Sequence, residues 1–578
     1  MRKRVAQSGP KAISVQAIAG TYVVLLGINA SPGARKGLLG FALHRADLTE
    51  KEQFWLKGFR TFESTNPNPA PGTLVSTQEH PIQGFQWGDY TAKPNHSYVY
   101  KVVPVYGTPK NLVYGKGVTV PVKTEGEATD EHEIYFNRGV AGSQAYAREF
   151  GNKSPDEAGP EAFKWLSRGL EEAILEFIGR ANGKRYSVRA AAYEFSYAPV
   201  LQAFKAASQS GADVKIVYDC RKADPRTASD AAIAAAGIRD LMIQRKANPS
   251  YIAHNKFIVL LRDGKPLQVL TGSTNFTEGG IFGQSNVVHI VNNPDVAAQY
   301  LAYWTELSSD PDASVLRPWT VKNSPDLNGS ATAGIHPIFS PRTTQSMLQW
   351  YSGRIDGASA VSGFTAAFGV NALFGTILEQ NKKNLRYLLL ESVKNGDPAY
   401  AKYSQLQNNF ISIGAVLNPD AVGDAKLHRW VAEKLTNLNN HVKYLHTKYL
   451  FVDPLGDNPT VISGSANFSQ ASTVSNDENM LVVQGNTAVA DIYLGEFMRL
   501  WNHFYFRDVA NRYAKLNAAQ KKTNVVPAAS GADSASGKGG SPATKSDGPS
   551  PYLDVDDSWT NDYFGGDFRK TSERTLFA

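Results

Sequence analysis

The sequence predicts an α/β protein of two related halves, each a sheet flanked by helices, preceded by an all-β sandwich. Three observations lead there. Up to about residue 124 the chain is cut into short runs rich in β-branched and aromatic residues, separated by Pro, Gly and Asn clusters. From about residue 130 strand-like runs alternate with amphipathic ones, the pattern of α/β layers. A unit of about 190 residues then occurs twice, over roughly 130–310 and 330–515. At 578 residues the chain exceeds what one hydrophobic core usually organises. The expected division is a β-sandwich at 1–125, a first half at 126–310, a connector at 311–334, a second half at 335–515 and a largely disordered tail at 516–578.

In the sandwich, TYVVLLGI, LLGFALHR, GFQWGDY, HSYVYKVVPVYG and GVTVPVKT read as strands, with NASPGARKG, STNPNPAPG and AKPNH as turns. TAKPNHSYVYKVVPV, a Pro turn before an alternating aromatic strand, resembles the late strands of fibronectin type III domains, which implies a spacer or docking role. In the first half, GPEAFKWLSRGLEEAILEFIGRA reads as one helix. Leu166, Leu170, Ile174 and Phe177 recur at helical spacing, and Gly183 follows its end. RYSVRAAAYEF, PVLQAFKAASQSG and ADVKIVYDC follow as strand, helix and strand, a crossover joining a parallel pair. SAVSGFTAAF, ALFGTILEQNKKN and LRYLLLES repeat that order in the second half, and IHPIFSPRTTQSML echoes EIYFNRGVAGSQAY. Residues 516–550 are small and polar, the composition of a disordered segment. The last stretch, PYLDVDDSWTNDYFGGDFRKTSERTLFA, suits a docking segment; its acids Asp554, Asp556, Asp557 and Asp562 are expected to fold over a basic cleft.

The net charge of +7 is a mild bias towards anionic partners such as phospholipid surfaces or nucleic acid. The single cysteine, Cys220, excludes an intrachain disulfide and a thiolate zinc cluster, and its strand-end setting predicts a buried structural thiol. No run of about 18 uncharged apolar residues occurs, so no transmembrane helix is expected. The N-terminus has basic residues before an apolar stretch, but Gln16, Thr21 and Tyr22 dilute it, so a cleaved signal peptide is not expected. A cytoplasmic protein, or one exported by a non-classical route, follows from these expectations.

The informative repeat is HNKFIVLLRDGKPLQVLTGSTNF at 254–276 against HTKYLFVDPLGDNPTVISGSANF at 446–468. His254, Lys256, Gly272, Ser273, Asn275 and Phe276 match His446, Lys448, Gly464, Ser465, Asn467 and Phe468, with a Lys-to-Gly spacing of 16 in both copies. His and Lys two apart on a strand share a face. A turn then reverses the chain and returns Ser and Asn to the same end of the sheet. Each half thus gathers imidazole, ammonium, hydroxyl and carboxamide. That set suits phosphate: the ammonium supplies charge, and Asn and Ser donate hydrogen bonds to the non-bridging oxygens. Two sets around one phosphorus let the histidines divide the work, one as nucleophile and one as acid to the leaving oxygen and later base to water or alcohol. No metal or other cofactor is needed to make the nucleophile.

This paired HxK…GSxN pattern resembles the phospholipase D superfamily, whose signature reads HxKxxxxD then GSxN, and the likeness covers about 385 residues. The resemblance implies a catalytic set of His254, Lys256, Asn275, His446, Lys448, Asp453 and Asn467, supported by Ser273, Ser465 and Glu478. It implies that His254 is the nucleophile and His446 the acid, that Asp453 orients a histidine, and that Glu478 is the acid often found after GSxN. The first copy departs from the pattern. Leu261 stands at the aspartate position, Asp263 reads as a turn residue of RDGKP, and Ser285, with Gln284 beside it, is read at the place of Glu478. These departures leave exchanged histidine roles open.

Two unlike motifs on one chain resemble phospholipases and synthases more than the one-motif nucleases that dimerise. The expected activity is therefore metal-independent cleavage of a phospholipid head group, with transphosphatidylation as a variant, by a catalytic monomer. The alternative is a nuclease acting on DNA or RNA, and a lesser one a phosphate-binding scaffold that recruits a protein partner through the β domain or the tail. Tyr193, Phe195, Tyr197 and Phe364 are candidates to flank the substrate, as aromatic walls for acyl-glycerol or bases.

Overall fold

The computed structural model describes the chain except residues 130, 140–141, 419–429, 436–437, 439–441 and 524–549. The N-terminal region is a two-sheet sandwich. One sheet runs Arg2–Ala6, Ile13–Ala19, Val24–Ala30, Gln86–Asp89; the other runs Asn111–Tyr114, Ser97–Thr108, Gly40–Asp47, Glu52–Trp55, with Val118–Lys123 also paired to Ser97–Thr108. The two-residue period explains the packing. Val118, Val120 and Val122 point inward and Thr119, Pro121 and Lys123 outward, while Val15, Leu26, Phe41, Tyr98 and Tyr100 meet in the common core.

The two halves that follow have one topology. In spatial order the first sheet is His132–Phe136, Val287–Val291, Lys265–Gly272, Lys256–Arg262, Tyr186–Ala192, Asp213–Asp219, Met242–Arg245. The second is Gly334–Ser340, Glu478–Gln484, Thr460–Gly464, Tyr449–Val452, Val361–Ala366, Leu385–Leu390, Asn409–Ile413. In each, the last three strands are parallel and the others antiparallel. One face of each sheet joins a shared core with Tyr300, Tyr303 and Trp304 of helix Pro294–Ser308 and Tyr493, Phe497 and Trp501 of helix Thr487–Thr523. The other face is covered by helices of its own half, Leu170–Gly179 and Ala198–Gln209 in the first, Ser346–Asp356 and Ala372–Leu378 in the second.

Two expectations about these elements are corrected. The predicted single helix at 159–181 is two, Pro160–Ser167 and Leu170–Gly179, because Arg168 and Gly169 take the left-handed conformation (φ 49° and 89°). The break lets the buried Arg168 reach Glu496 at 2.7 Å and donate through Nε to the Phe136 carbonyl. The stretch joining the halves carries a helix, Ala313–Asn323. The helix beginning at Thr487 runs on to Thr523, into the stretch expected to be disordered; residues 524–549 of that stretch lie outside the described residues.

The C-terminal stretch is ordered and does not cover a cleft. Ser558–Phe564 forms a short 3-10 helix and Phe568–Phe577 an α-helix. Trp559 enters the sandwich core, stacked on Phe85 at 5.4 Å, with its indole N–H donating to the Leu38 carbonyl. Arg569 lies 4.2 Å over the Tyr505 ring, and Tyr387 donates to Glu573 at 3.1 Å. Phe577 is buried, and a side chain at Gly27 would strike its carbonyl. The tail thus ties the sandwich to the second half. Its acids are used locally: Asp557 accepts from the Gly37 amide and Asp562 pairs with Lys570. The stretch docks through its aromatics, and the correction lies in where it docks. Trp559→Ala is expected to cost about 3–5 kcal/mol, read as an earlier denaturant midpoint of the full chain, with turnover per folded molecule unchanged.

Candidate active site

The site grows from the hairpins that carry the repeat. Tyr186–Ala192 pairs with Lys256–Arg262 so that Ala192 opposes Lys256, and Val361–Ala366 pairs with Tyr449–Val452 in the same register, Phe364 opposing Leu450. The histidines stand just before these strands, on segments held by the opposite half. Ala253 bridges to Asp477 and Ser285 to Leu445, so the His254 amide donates to the Asp477 carbonyl (2.9 Å) and the His446 amide to the Ser285 carbonyl (3.1 Å). Carboxylates brace both segments from behind. Asp219 accepts from the Ala253 amide, and Glu391 accepts from the amides of Lys443, Tyr444 and Leu445. Asp477, buried, also receives Arg221 and Arg245, each at 2.9 Å.

Each imidazole is held through Nδ1 by a side chain of the other half. His254 Nδ1 lies 2.9 Å from Glu478 Oε2, which also accepts from Ser465 Oγ at 2.7 Å. His446 Nδ1 lies 3.0 Å from Asn286 Oδ1, which also accepts from Ser273 Oγ at 2.7 Å. The Asn286 amide is oriented, since its Nδ2 donates to the Gly280 carbonyl at 2.7 Å. Both acceptors fix the proton on Nδ1 and leave the Nε2 lone pair for chemistry. Asn286, not Ser285, is therefore the counterpart of Glu478. The amides of Ser273 and Ser465 donate to the carbonyls of Val287 and Asn479, which sets Asn286 and Glu478 at the same point. Ser285 instead matches the bridging position of Asp477.

Lys256 and Lys448 are buried, and the Nζ of each donates to the carbonyl of its own motif's histidine. An ammonium has three donors, so most of this capacity is left for a ligand. Asn275 donates through Nδ2 to Glu194, while Asn275 Oδ1, Asn467 Oδ1 and Glu478 Oε1 are buried without a hydrogen-bond partner among the described residues. Burial pushes His254 down to about 4 against the partial support of Glu478, and Lys256 down to about 8. Burial, then the nearby lysines, hold His446 and Lys448 well below their usual values. Burial alone would raise the Glu478 carboxyl, but His254 and Lys256 hold it below the usual carboxylate range. Such mutual influence requires the two histidines, the two lysines and Glu478 to lie together.

Asp453 is not in this group. It sits at the far end of its hairpin, seven residues past His446, about 20 Å away at strand spacing. Its carboxylate accepts from the amides of Ser359, Ala360 and Val361 and from Ser359 Oγ, anchoring the start of the neighbouring strand. Asp263 takes the matching place in the first copy. Both aspartates are left-handed (φ 52° and 45°), and their amides donate to carbonyls of the adjoining strand, Arg185 and Val361. Asp263 pairs with the Arg185 side chain. The first hairpin closes with a tight Asp263–Gly264 turn and the second with a longer loop. Equal spacing therefore concealed unequal strand lengths, and Leu261 is a strand residue buried in the shared core.

Of the aromatic candidates, Tyr193 meets His254 edge to face at 4.8 Å and lies under Lys256 Nζ. Phe195 and Phe364 are core residues, and Tyr197 donates to Glu171. Two residues were missed. Glu194 binds Asn275, and Phe368, 60% exposed, lies 6.0 Å from Lys448 Nζ and 6.5 Å from the His446 ring. Their position two residues beyond matched strand ends was the available signal. Asp47, Glu50 and His96 of the sandwich lie close enough to hold a cation, but Lys93 already neutralises Glu50.

Two matched sheets bring twin His–Lys pairs together at one site shared by the halves. A family model described as "Cardiolipin synthase, PLD-like domain" matches both halves, over residues 174–307 and 376–501. The chain belongs to the phospholipase D superfamily, whose chemistry supports phosphodiester cleavage. Among solved structures, Nuc of Salmonella typhimurium, a phospholipase D family member, is 33% identical over 24% of this chain and 87% of its own, with a TM-score of 0.21. Phosphatidylserine synthase of Haemophilus influenzae Rd KW20 is 12% identical over 62% and 93%, with a TM-score of 0.40. Polyphosphate kinase of Porphyromonas gingivalis is 12% identical over 56% and 46%, with a TM-score of 0.36, so the chain spans under half of that enzyme. No curated protein sequence matches the chain. No helix among the described residues is long and apolar enough to cross a membrane.

Nitrogen NMR of imidazole-labelled protein should show His254 and His446 neutral at pH 7 with the proton on Nδ1. Neither should titrate between about pH 6 and 8, whereas an exposed histidine would, near 6.5.

Proposed function

We propose that the chain is a metal-independent phosphodiesterase that removes phospholipid head groups through a phosphohistidine at His254. The observation that carries this reading is the unlike support of two otherwise matched histidines. When His254 Nε2 attacks phosphorus, the imidazole becomes a phosphoimidazolium, and the Glu478 carboxylate on Nδ1 stabilises that positive charge. His446 faces only the neutral Asn286 carboxamide, so its imidazolium gives up the Nε2 proton readily to the departing oxygen. The bond to the leaving alcohol breaks as the N–P bond forms. His446 then takes a proton from water, which attacks phosphorus and releases His254; an alcohol in place of water gives transphosphatidylation. Lys256 and Lys448, with Asn275 and Asn467, meet the charge on the non-bridging oxygens, a task a divalent cation performs elsewhere.

A lipid is favoured by the wall beside Lys448. Residues 357–378 contain no charged side chain, and Phe368 projects from that stretch with Phe374 and Phe468 behind it. This sets an apolar surface against the phosphate position, as a phospholipid requires. The sandwich, on the same reading, is a docking or spacing module of fibronectin type III kind.

Labelled phosphatidylcholine, phosphatidylethanolamine, single-stranded DNA and double-stranded DNA, offered separately, should give head-group release from the lipids. DNA cleavage with intact lipid would replace this substrate assignment with a nuclease. His254→Ala and His446→Ala should each lower turnover by at least about 10³-fold, and EDTA should change it little; retained activity in both variants would contradict the two-histidine mechanism. His254 works neutral and His446 protonated, so kcat/KM should peak on the acid side of neutrality. Asn286→Asp gives His446 a carboxylate, raises its pKa and should carry the alkaline limb of the pH profile upward.

A further inference from the structure

Glu194 and Phe368 occupy equivalent positions in the two halves, yet one is an acid and the other a phenylalanine. Each lies two residues beyond the end of the strand that pairs with its motif, after Ala192 and after Ala366. Holding the catalytic side chains therefore does not in itself require a carboxylate there. Glu194 is half-buried, and its Oε2 accepts from Nδ2 of Asn275, which is 4% exposed. The negative charge of Glu194 acts on both Lys256 and Lys448. The charged groups of the site are then two ammoniums against two carboxylates, Glu478 and Glu194, and the His446 imidazolium of the reacting form adds one positive charge. Asp219, whose charge also acts on Lys256, is itself paired through backbone amides and accompanied by Arg221.

We propose that Glu194 is a specificity-determining residue that matches the site to the single charge of a phosphodiester and disfavours the second charge of a phosphomonoester. The proposal rests on the phosphodiesterase reading but not on the choice of lipid. The physical reason is additive: an anion several ångström away opposes each ligand charge, so a dianion is penalised once more than a monoanion. Hydrolysis converts a monoanionic diester into a monoester that ionises a second time near pH 6. Glu194 therefore also hastens product departure and keeps free monoesters from occupying the site.

Glu194→Gln isolates the charge, because its amide oxygen still accepts from Asn275 Nδ2. Calorimetric titration of the full chain with methyl phosphate and with dimethyl phosphate at pH 7 reads the effect directly. Relative to wild type, Glu194→Gln should tighten methyl phosphate on the order of tenfold more than dimethyl phosphate. Glu194→Asp, which keeps the charge, should retain a ratio close to wild type. A ratio within about twofold of wild type in Glu194→Gln, with the variant's melting temperature unchanged, would overturn the proposal. So would equal shifts in Glu194→Gln and Glu194→Asp, which would mark Glu194 as a structural support for Asn275. Binding needs no turnover, so a wild-type chain that cleaves no diester would count against the phosphodiesterase reading while this ratio still decides the role of Glu194.

Discussion

Two short β-bridges between the halves, Ala253 to Asp477 and Ser285 to Leu445, fix the geometry on which the rest depends. Each lies one residue before a motif histidine and one residue before the side chain that holds the other half's imidazole. A single contact thus places a histidine from one half against Glu478 or Asn286 from the other. Neither half contains a complete site, because each imidazole would lose its Nδ1 acceptor without its neighbour. Burial of both sheets against one shared core, with Trp304 and Trp501 among the large side chains between them, keeps those bridges in register.

The same contact explains how a pseudo-symmetric scaffold carries unlike chemistry in its two halves. Backbone positions repeat closely, from the strand order to the Nδ1 contacts, while the chemistry differs at paired points: Glu478 against Asn286, and Glu194 against Phe368. On the proposed mechanism the first pair separates nucleophile from acid. The second gives the phosphate an anionic wall on one side and an apolar one on the other. Buried lysines that each donate to a carbonyl keep further N–H donors and positive charge for an anionic phosphate.

Much of this was legible in the chain. The repeat of His-x-Lys and Gly-Ser-x-Asn named His254, Lys256, Asn275, His446, Lys448 and Asn467 because hairpins return residues to one sheet end whatever the loop between them. Ser273, Ser465 and Glu478 followed from the same spacing. The error at Leu261 has a physical cause: equal spacing does not guarantee equal register. The first hairpin uses longer strands and a tight turn, so Asp263 and not Leu261 corresponds to Asp453, and both aspartates brace the fold. The Glu478 counterpart was legible in the spacing itself: Glu478 lies 11 residues after Asn467 and Asn286 lies 11 after Asn275, so the reading at Ser285 fell one residue short. Glu194 and Phe368 lie in loops after strands, where no period marks direction. The tail was misjudged because Trp559 and Phe577 find their pockets only once the sandwich and the second half stand side by side.

The central claim, that Glu478 makes His254 the covalent nucleophile while Asn286 leaves His446 the acid, is tested most directly by trapping the intermediate. The chain is mixed with a rapidly cleaved diester, quenched within milliseconds in alkali, where phosphohistidine survives, and its peptides are read by mass spectrometry. The phosphoryl adduct is predicted on the peptide containing His254. An adduct on the peptide containing His446, or turnover with no adduct on either histidine, would contradict the account.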